Sequence, residues 1–181
     1  MLSGSPEEKR SAAPEGGAGA RRTLVLGVGN RLMSDDAVGL EALEAFRAAY
    51  ELPPGVEVLD GGTGGLDLLG HLEGCAHVLV VDCVSTGAEP GALLRVEAHD
   101  VPRVFSRSLS PHQMGLPDLL AALELTGRLP ERLVVLGVEP ARVDLGLELT
   151  EPVARRLPAL VEAMAAELAA WGVAIRKRPG R

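Results

Sequence analysis

The residue types that could do chemistry in this chain are few: the adjacent acids Asp35 and Asp36, the single acid Asp82, His112, and the thiol of Cys83. Asp82 closes the apolar run His77-Val-Leu-Val-Val. That run reads as a central strand, and open α/β sheets bind ligands at the carboxyl edge of such strands. A carboxylate emerging there is costly to bury unless it is paired or binds a cation, a structural hydrogen bond being the plainer alternative. Asp35-Asp36 falls at a helix start, where acids offset the helix dipole; two adjacent acids exceed what capping needs, so one is free to point elsewhere. His112 stands in Ser-Pro-His-Gln, in the first turn of an expected helix. The positive helix end disfavours imidazolium and keeps the ring available as a ligand, although a packed or solvated histidine fits as well. Two carboxylates and one imidazole from separate loops would make a mixed oxygen–nitrogen site for a borderline divalent metal, with positions left open for water or substrate.

Other chemistries have weaker support. No Gly-x-Ser-x-Gly elbow, His-Glu-x-x-His pair or phosphate loop occurs. Cys83 has no evident activating neighbour and reads as a small buried hydrophobe. His71, His77 and His99 lack companions and read as surface or packing residues. Gly27-Val-Gly-Asn30 resembles the start of a dinucleotide fingerprint, and Asp60 could imitate its ribose-binding acid, but Leu32 stands where the third glycine belongs.

The elements that must position these residues alternate strand and helix. Apolar runs at Thr23–Val28, Val56–Leu59, His77–Asp82 and Arg132–Val138 predict buried, mostly parallel strands. Ala92–Glu97 follows its predecessor through Gly87-Ala-Glu-Pro-Gly91, too short for a crossover, and is therefore expected to run antiparallel. Helices are expected from about Asp36 to Tyr50, over Leu66–Leu72, from Ser110-Pro111 to Gly127, and from a Thr150 cap through Trp171. The fold class that results is α/β: a three-layer α/β/α sandwich around a five-stranded, mostly parallel sheet with one antiparallel strand. Asp36 and Asp82 would then follow neighbouring strands, and the loop 98–110 would have to return to the same edge to bring His112 to them.

Composition bounds the rest. The 181 residues suit one domain, read as 21–175, between a Gly-, Ala- and Ser-rich extension at 1–20 expected to be disordered and a basic tail at 176–181. Aromatic residues make up 2% and the net charge is −7, which argues against nucleic acid as a partner. Two cysteines do not suggest a disulfide framework, and no apolar run approaches ~18 residues, so no membrane partner is expected. The N-terminal segment has no signal-peptide core, and the expected compartment is the cytoplasm.

Four segments, in this order, carry a resemblance: Gly27-Val-Gly-Asn-Arg-Leu-Met-Ser-Asp-Asp-Ala-Val-Gly39, Asp60-Gly-Gly-Thr63, Val80-Val-Asp-Cys-Val84 and Ser110-Pro-His-Gln-Met-Gly-Leu116. Over about residues 23–172 the chain resembles the hydrogenase maturation endopeptidases. The resemblance implies a hydrolase, classed with the aspartic-type endopeptidases, that removes the C-terminal extension of a nickel–iron hydrogenase large-subunit precursor after nickel insertion. It implies a metal-contacting trio at Asp36, Asp82 and His112, with Asp36 and Asp82 as the catalytic acids. The nickel ion would arrive with the substrate, and other divalent metals would fit the same ligands in vitro. The family usually carries glutamate where this chain has Asp36; aspartate is one methylene shorter, so the contact must close by ~1.5 Å, or Asp35 contribute instead. Thr63 and its glycines would offer backbone amides to the substrate chain. The rival expectations are a non-catalytic hydrogenase assembly chaperone and a Rossmann-like nucleotide-binding enzyme.

Overall fold

The computed structural model describes residues 21–105 and 115–179. The expected extension at 1–20, the Ser110-Pro111 helix start and His112 lie outside the described residues. Within them the elements are β1 (Thr23–Val28), α1 (Val38–Ala49), β2 (Tyr50–Glu51), β3 (Val56–Gly62), α2 (Leu69–Leu72), β4 (His77–Cys83), β5 (Leu93–Glu97), α3 (Val101–Phe105), α4 (Gly115–Leu125), β6 (Arg132–Val138), α5 (Glu151–Ala154), α6 (Leu157–Ala170) and β7 (Arg176–Lys177). Five strands form one sheet in the order β3-β1-β4-β6-β5; β5 alone is antiparallel, pairing with β6.

Strand alternation divides the core in two. Val25, Leu79, Val81, Val134 and Leu136 face a layer built from Leu43 and Phe46 of α1 and Leu160, Met164 and Leu168 of α6. Leu24, Leu26, Val78, Val80, Leu133 and Val135 face Leu72 of α2, Val101 of α3 and Leu116, Leu119, Leu120 and Leu123 of α4. This is the three-layer architecture that the sequence pattern predicts. Among the described residues, no helix is long and apolar enough to cross a membrane.

From β1 the chain crosses by α1 to β3 on one side, then by α2 to β4 on the other side of β1. The carboxyl ends of β1 and β4 therefore flank a topological switch point, where the loops diverge and leave a crevice.

Several element boundaries differ from expectation. The first helix begins with a 3-10 turn at Ser34–Ala37, and Tyr50 leaves it for β2. Arg176 and Lys177 pair with Glu51 and Tyr50 rather than starting a frayed tail. The last helix is two pieces, and Thr150 makes no side-chain cap; its hydroxyl is drawn to Asp35 instead, at 2.8 Å. Competition from a buried carboxylate outweighs capping, which needs no particular residue when the first turn is solvated.

Candidate functional site

Three glycines explain how a helix start is pressed onto the carboxyl edge of the sheet. A Cβ on Gly39 would lie 2.4 Å from the carbonyl oxygens of both Val28 and Val81, so α1 touches β1 and β4 with bare backbone. A Cβ on Gly27 would meet the side chain of Leu43 at 2.6 Å. Gly29 has a φ of +141°, and a Cβ there would fall 1.9 Å from the carbonyl oxygen of Asp36. Only glycine lets the turn at 29 fold directly beneath the turn at 36.

That folding sends the two adjacent acids in different directions. Asp36 is 3% exposed and accepts a hydrogen bond from the amide of Asn30 at 3.0 Å. Asp35 is fully buried and points the other way. Its carboxylate accepts from the amides of Ala141, Arg142 and Thr150 at 2.9, 3.0 and 2.7 Å, and from the Thr150 hydroxyl. Asp35 is therefore spent as an anchor for the 141–150 loop, and Asp36 is the acid at the switch point.

Asp82 is the last residue but one of β4, on the same edge and one residue beyond the Gly27–Val81 pairing with β1. It is 3% exposed, and Oδ1 accepts the amide of Cys83 at 2.7 Å. Burial pushes its carboxyl up to about 8, the Cys83 amide opposes that rise, and the nearby charge of Asp36 adds to it. Among the described residues no cationic side chain offsets Asp82. The structure thus brings Asp36 and Asp82 together as two buried acids that repel one another. Such a pair is relieved by a shared proton or by a cation.

The other candidate residues separate from this pair. His112 lies outside the described residues; α4, which begins three positions later in the sequence, lies on the face of the sheet to which the side chains of Val78 and Val80 point. Of the chain between β5 and α4, the part to Phe105 folds into a 3-10 turn and α3. Burial and the neighbouring acids push the Cys83 thiol far up, so it stays protonated and unreactive. His77 is buried against Trp171, with ring centroids 5.3 Å apart, and burial lowers its pKa. His71 and His99 are exposed. Around Thr63, the amides of Gly62 and Gly64 are taken by Asp60 and by the carbonyl of Gly61.

The dinucleotide reading loses its cradle. The amide of Gly29 donates to Gly62 and that of Asn30 to Asp36, so neither is available to a pyrophosphate. The acids of this edge would also repel one. The helix-packing glycine that the fingerprint lacks at Leu32 is supplied by Gly39, and its purpose is to seat Asp36.

Sequence reasoning missed two anchors. Besides Asp35, buried Glu139 accepts from the amide and hydroxyl of Thr86, both at 2.7 Å, and from the amide of Gly87, fixing the chain just after Asp82. It also missed Arg31, held by Glu41, Glu44 and Asp60 at 3.1, 2.7 and 3.2 Å. Asp35 and Glu139 bind partners more than fifty positions away, and no local pattern signals such pairing.

Comparison with known proteins decides the family. The family described as hydrogenase maturation protease (HycI) matches residues 40–167, a span that includes Asp82 and His112. This chain belongs to the hydrogenase maturation protease family. The chain is 42% identical over 147 residues to the Hydrogenase 2 maturation protease of Escherichia coli (strain K12), covering 80% of this chain and 90% of that one. It is 41% identical over 168 residues to the Hydrogenase expression/formation protein HupD of Rhizobium leguminosarum bv. viciae, covering 92% and 83%. Among solved structures, the hydrogenase maturating endopeptidase HybD from Escherichia coli superposes with a TM-score of 0.83 at 39% identity, covering 87% of this chain and 98% of the other. The hydrogenase maturation protease fold thus accounts for the sheet order and its single antiparallel strand.

Proposed function

We propose that this protein is the endopeptidase that shortens a nickel–iron hydrogenase large-subunit precursor at its C-terminal end once nickel has been inserted, using Asp36, Asp82 and His112 to contact the substrate's nickel. The observation that carries the reading is the pair of buried acids, Asp36 and Asp82, at the switch-point edge, with Asp82 raised by burial and by its neighbour. Ionising both acids of a buried pair is unfavourable, so burial and the charge of Asp36 hold Asp82 protonated in the free protein; a divalent metal arriving with the substrate stabilises both carboxylates and displaces that proton. A site strained in this way favours loaded precursor over empty precursor.

The chemistry is amide hydrolysis. Water adds to the scissile carbonyl, the C–N bond breaks, and the proton released by the water ends on the leaving amine. The metal is part of the substrate and fixes the scissile peptide beside the acids. A carboxylate of the pair that the metal leaves free accepts the proton from water, which makes Asp36 and Asp82 the catalytic candidates. Cys83 takes no part, because its thiol is held protonated. Support for the substrate comes from the relatives: one structural neighbour, 29% identical with a TM-score of 0.64, is described as a nickel–iron hydrogenase maturation protease from Thermococcus kodakarensis.

The test is cleavage of nickel-loaded precursor by Asp36→Asn, Asp82→Asn and His112→Ala variants, each checked for a native melting transition. Loss of cleavage by a factor of about a hundred or more is expected in each. Full activity in any one removes that residue from the site. A wild-type protein that binds the precursor and releases it at unchanged mass is an assembly chaperone and not a protease.

A further inference from the structure

We propose that Leu32, Leu145 and Leu147 form a rigid apolar lip that docks the folded body of the substrate precursor, next to the tail that is cleaved. The inference rests on the proteolytic reading above and names a second contact beyond the acidic site. The three side chains are 57%, 84% and 78% exposed. Exposed leucines are ordinary when scattered or borne on frayed loops; these are neither.

Two loops meet at the lip and are fastened together. Met33 and Gly146 form a parallel bridge, the amide of Gly146 donates to Leu32 at 3.0 Å, and the amide of Ser34 donates to Gly146 at 2.8 Å. Gly146 faces inward: a Cβ there would meet the Ser34 hydroxyl at 2.4 Å. Leu145 and Leu147, on either side of that inward residue, are left facing solvent. Ser34 itself holds a φ of +48°, unfavourable for a residue with a side chain, and the fastening maintains it. Behind the bridge, the carboxylate of Asp35 grips the 141–150 loop. The chain thus spends a strained residue and a buried acid to hold three leucines in water.

The lip's size and position choose its occupant. Burying a leucine removes roughly 100 Å² of apolar surface, so the three supply ~300 Å². A stable dimer needs ~800 Å² per partner. The lip is too small to hold a second copy of this chain by itself. It suits a partner already anchored nearby, and Leu32 lies on the loop that carries Asp36. The precursor meets that condition, with an apolar surface segment seated on the lip while its tail occupies the acidic crevice.

The experiment measures steady-state cleavage and equilibrium binding of the nickel-loaded precursor by the wild type, a Leu145→Ser/Leu147→Ser double variant, Leu32→Ser, and the control Leu125→Ser. Leu125 is 89% exposed at the far end of α4. The double variant is expected to melt like the wild type, to raise KM and Kd about tenfold or more, and to leave kcat within about twofold. The control should match the wild type. Unchanged KM and Kd in the double variant overturn the proposal, as does a wild-type dimer in sedimentation that the double variant dissolves. If the wild type binds the precursor without cutting it, the proteolytic reading fails, and the Kd series still decides the lip.

Discussion

Thr150 donates both its amide and its hydroxyl to the carboxylate of Asp35, at 2.7 and 2.8 Å, across 115 positions of sequence. The pair ties the loop that ends in Asp36 to the loop that precedes the last two helices. It makes the position of Asp36, a candidate site acid, depend on a residue that the local pattern marks only as a helix cap.

Removing the anchor should cost more than removing one donor. Asp35→Ala leaves two loop amides and the Thr150 amide without their acceptor and is expected to destabilise the fold by about 3 kcal/mol, whereas Thr150→Val, which keeps the amide, costs about 1 kcal/mol. Urea unfolding midpoints measure both. Equal losses in the two variants would mean that Asp35 is not the hub.

Stability should fall with rising pH because of Asp82. Its carboxyl is raised from the ordinary 3.8 to about 8, first by burial and then by Asp36, so between those values the folded protein holds a proton that the unfolded chain has released. The resulting stabilisation is complete below pH ~4, declines as pH rises, and is gone above about 8. Asp82→Asn mimics the protonated acid. It should match the wild type at pH 5 within about 1 kcal/mol and exceed it at pH 9 by a few kcal/mol. Parallel pH profiles for the two proteins would contradict the raised carboxyl.

Gly39→Ala should damage fold and site together. The added methyl would press on the carbonyls of Val28 and Val81, which are locked in the sheet. A loss of about 1–3 kcal/mol is expected, with a further fall in cleavage as the helix start lifts Asp36 off the edge. Thermal melting and precursor cleavage report the two effects, and a variant with native Tm would remove the close-approach argument.

Cys83 supplies a negative control. In the native state its thiol should resist alkylation at pH 8, and Cys83→Ala should cut precursor at close to the wild-type rate. Rapid native-state alkylation coupled to loss of activity would instead mark it as the nucleophile.

Much of this architecture was legible in the sequence because the strands are continuous apolar runs. Thr23–Val28 and Arg132–Val138 have the boundaries that hydrophobicity alone predicts, and the short glycine-rich link before Leu93 required the antiparallel strand. The placement of Asp36 and Asp82 after neighbouring strands was legible from the strand pattern. Which of Asp35 and Asp36 stands at the switch point was not. That choice is made by amides at 141, 142 and 150, and backbone donors leave no trace in residue type. The Thr150 cap failed for the same reason: capping is a local rule, and a distant buried carboxylate overrode it.

On the proposed function, the acidic pair reads nickel in a precursor and permits its cleavage. The most direct measurement is the intact mass of the hydrogenase large-subunit precursor after incubation with this protein, with nickel inserted and with nickel left out. Loss of a C-terminal peptide from the loaded precursor is expected, with an unchanged mass for the empty one. An unchanged mass in the loaded sample, or equal shortening of both, would contradict it.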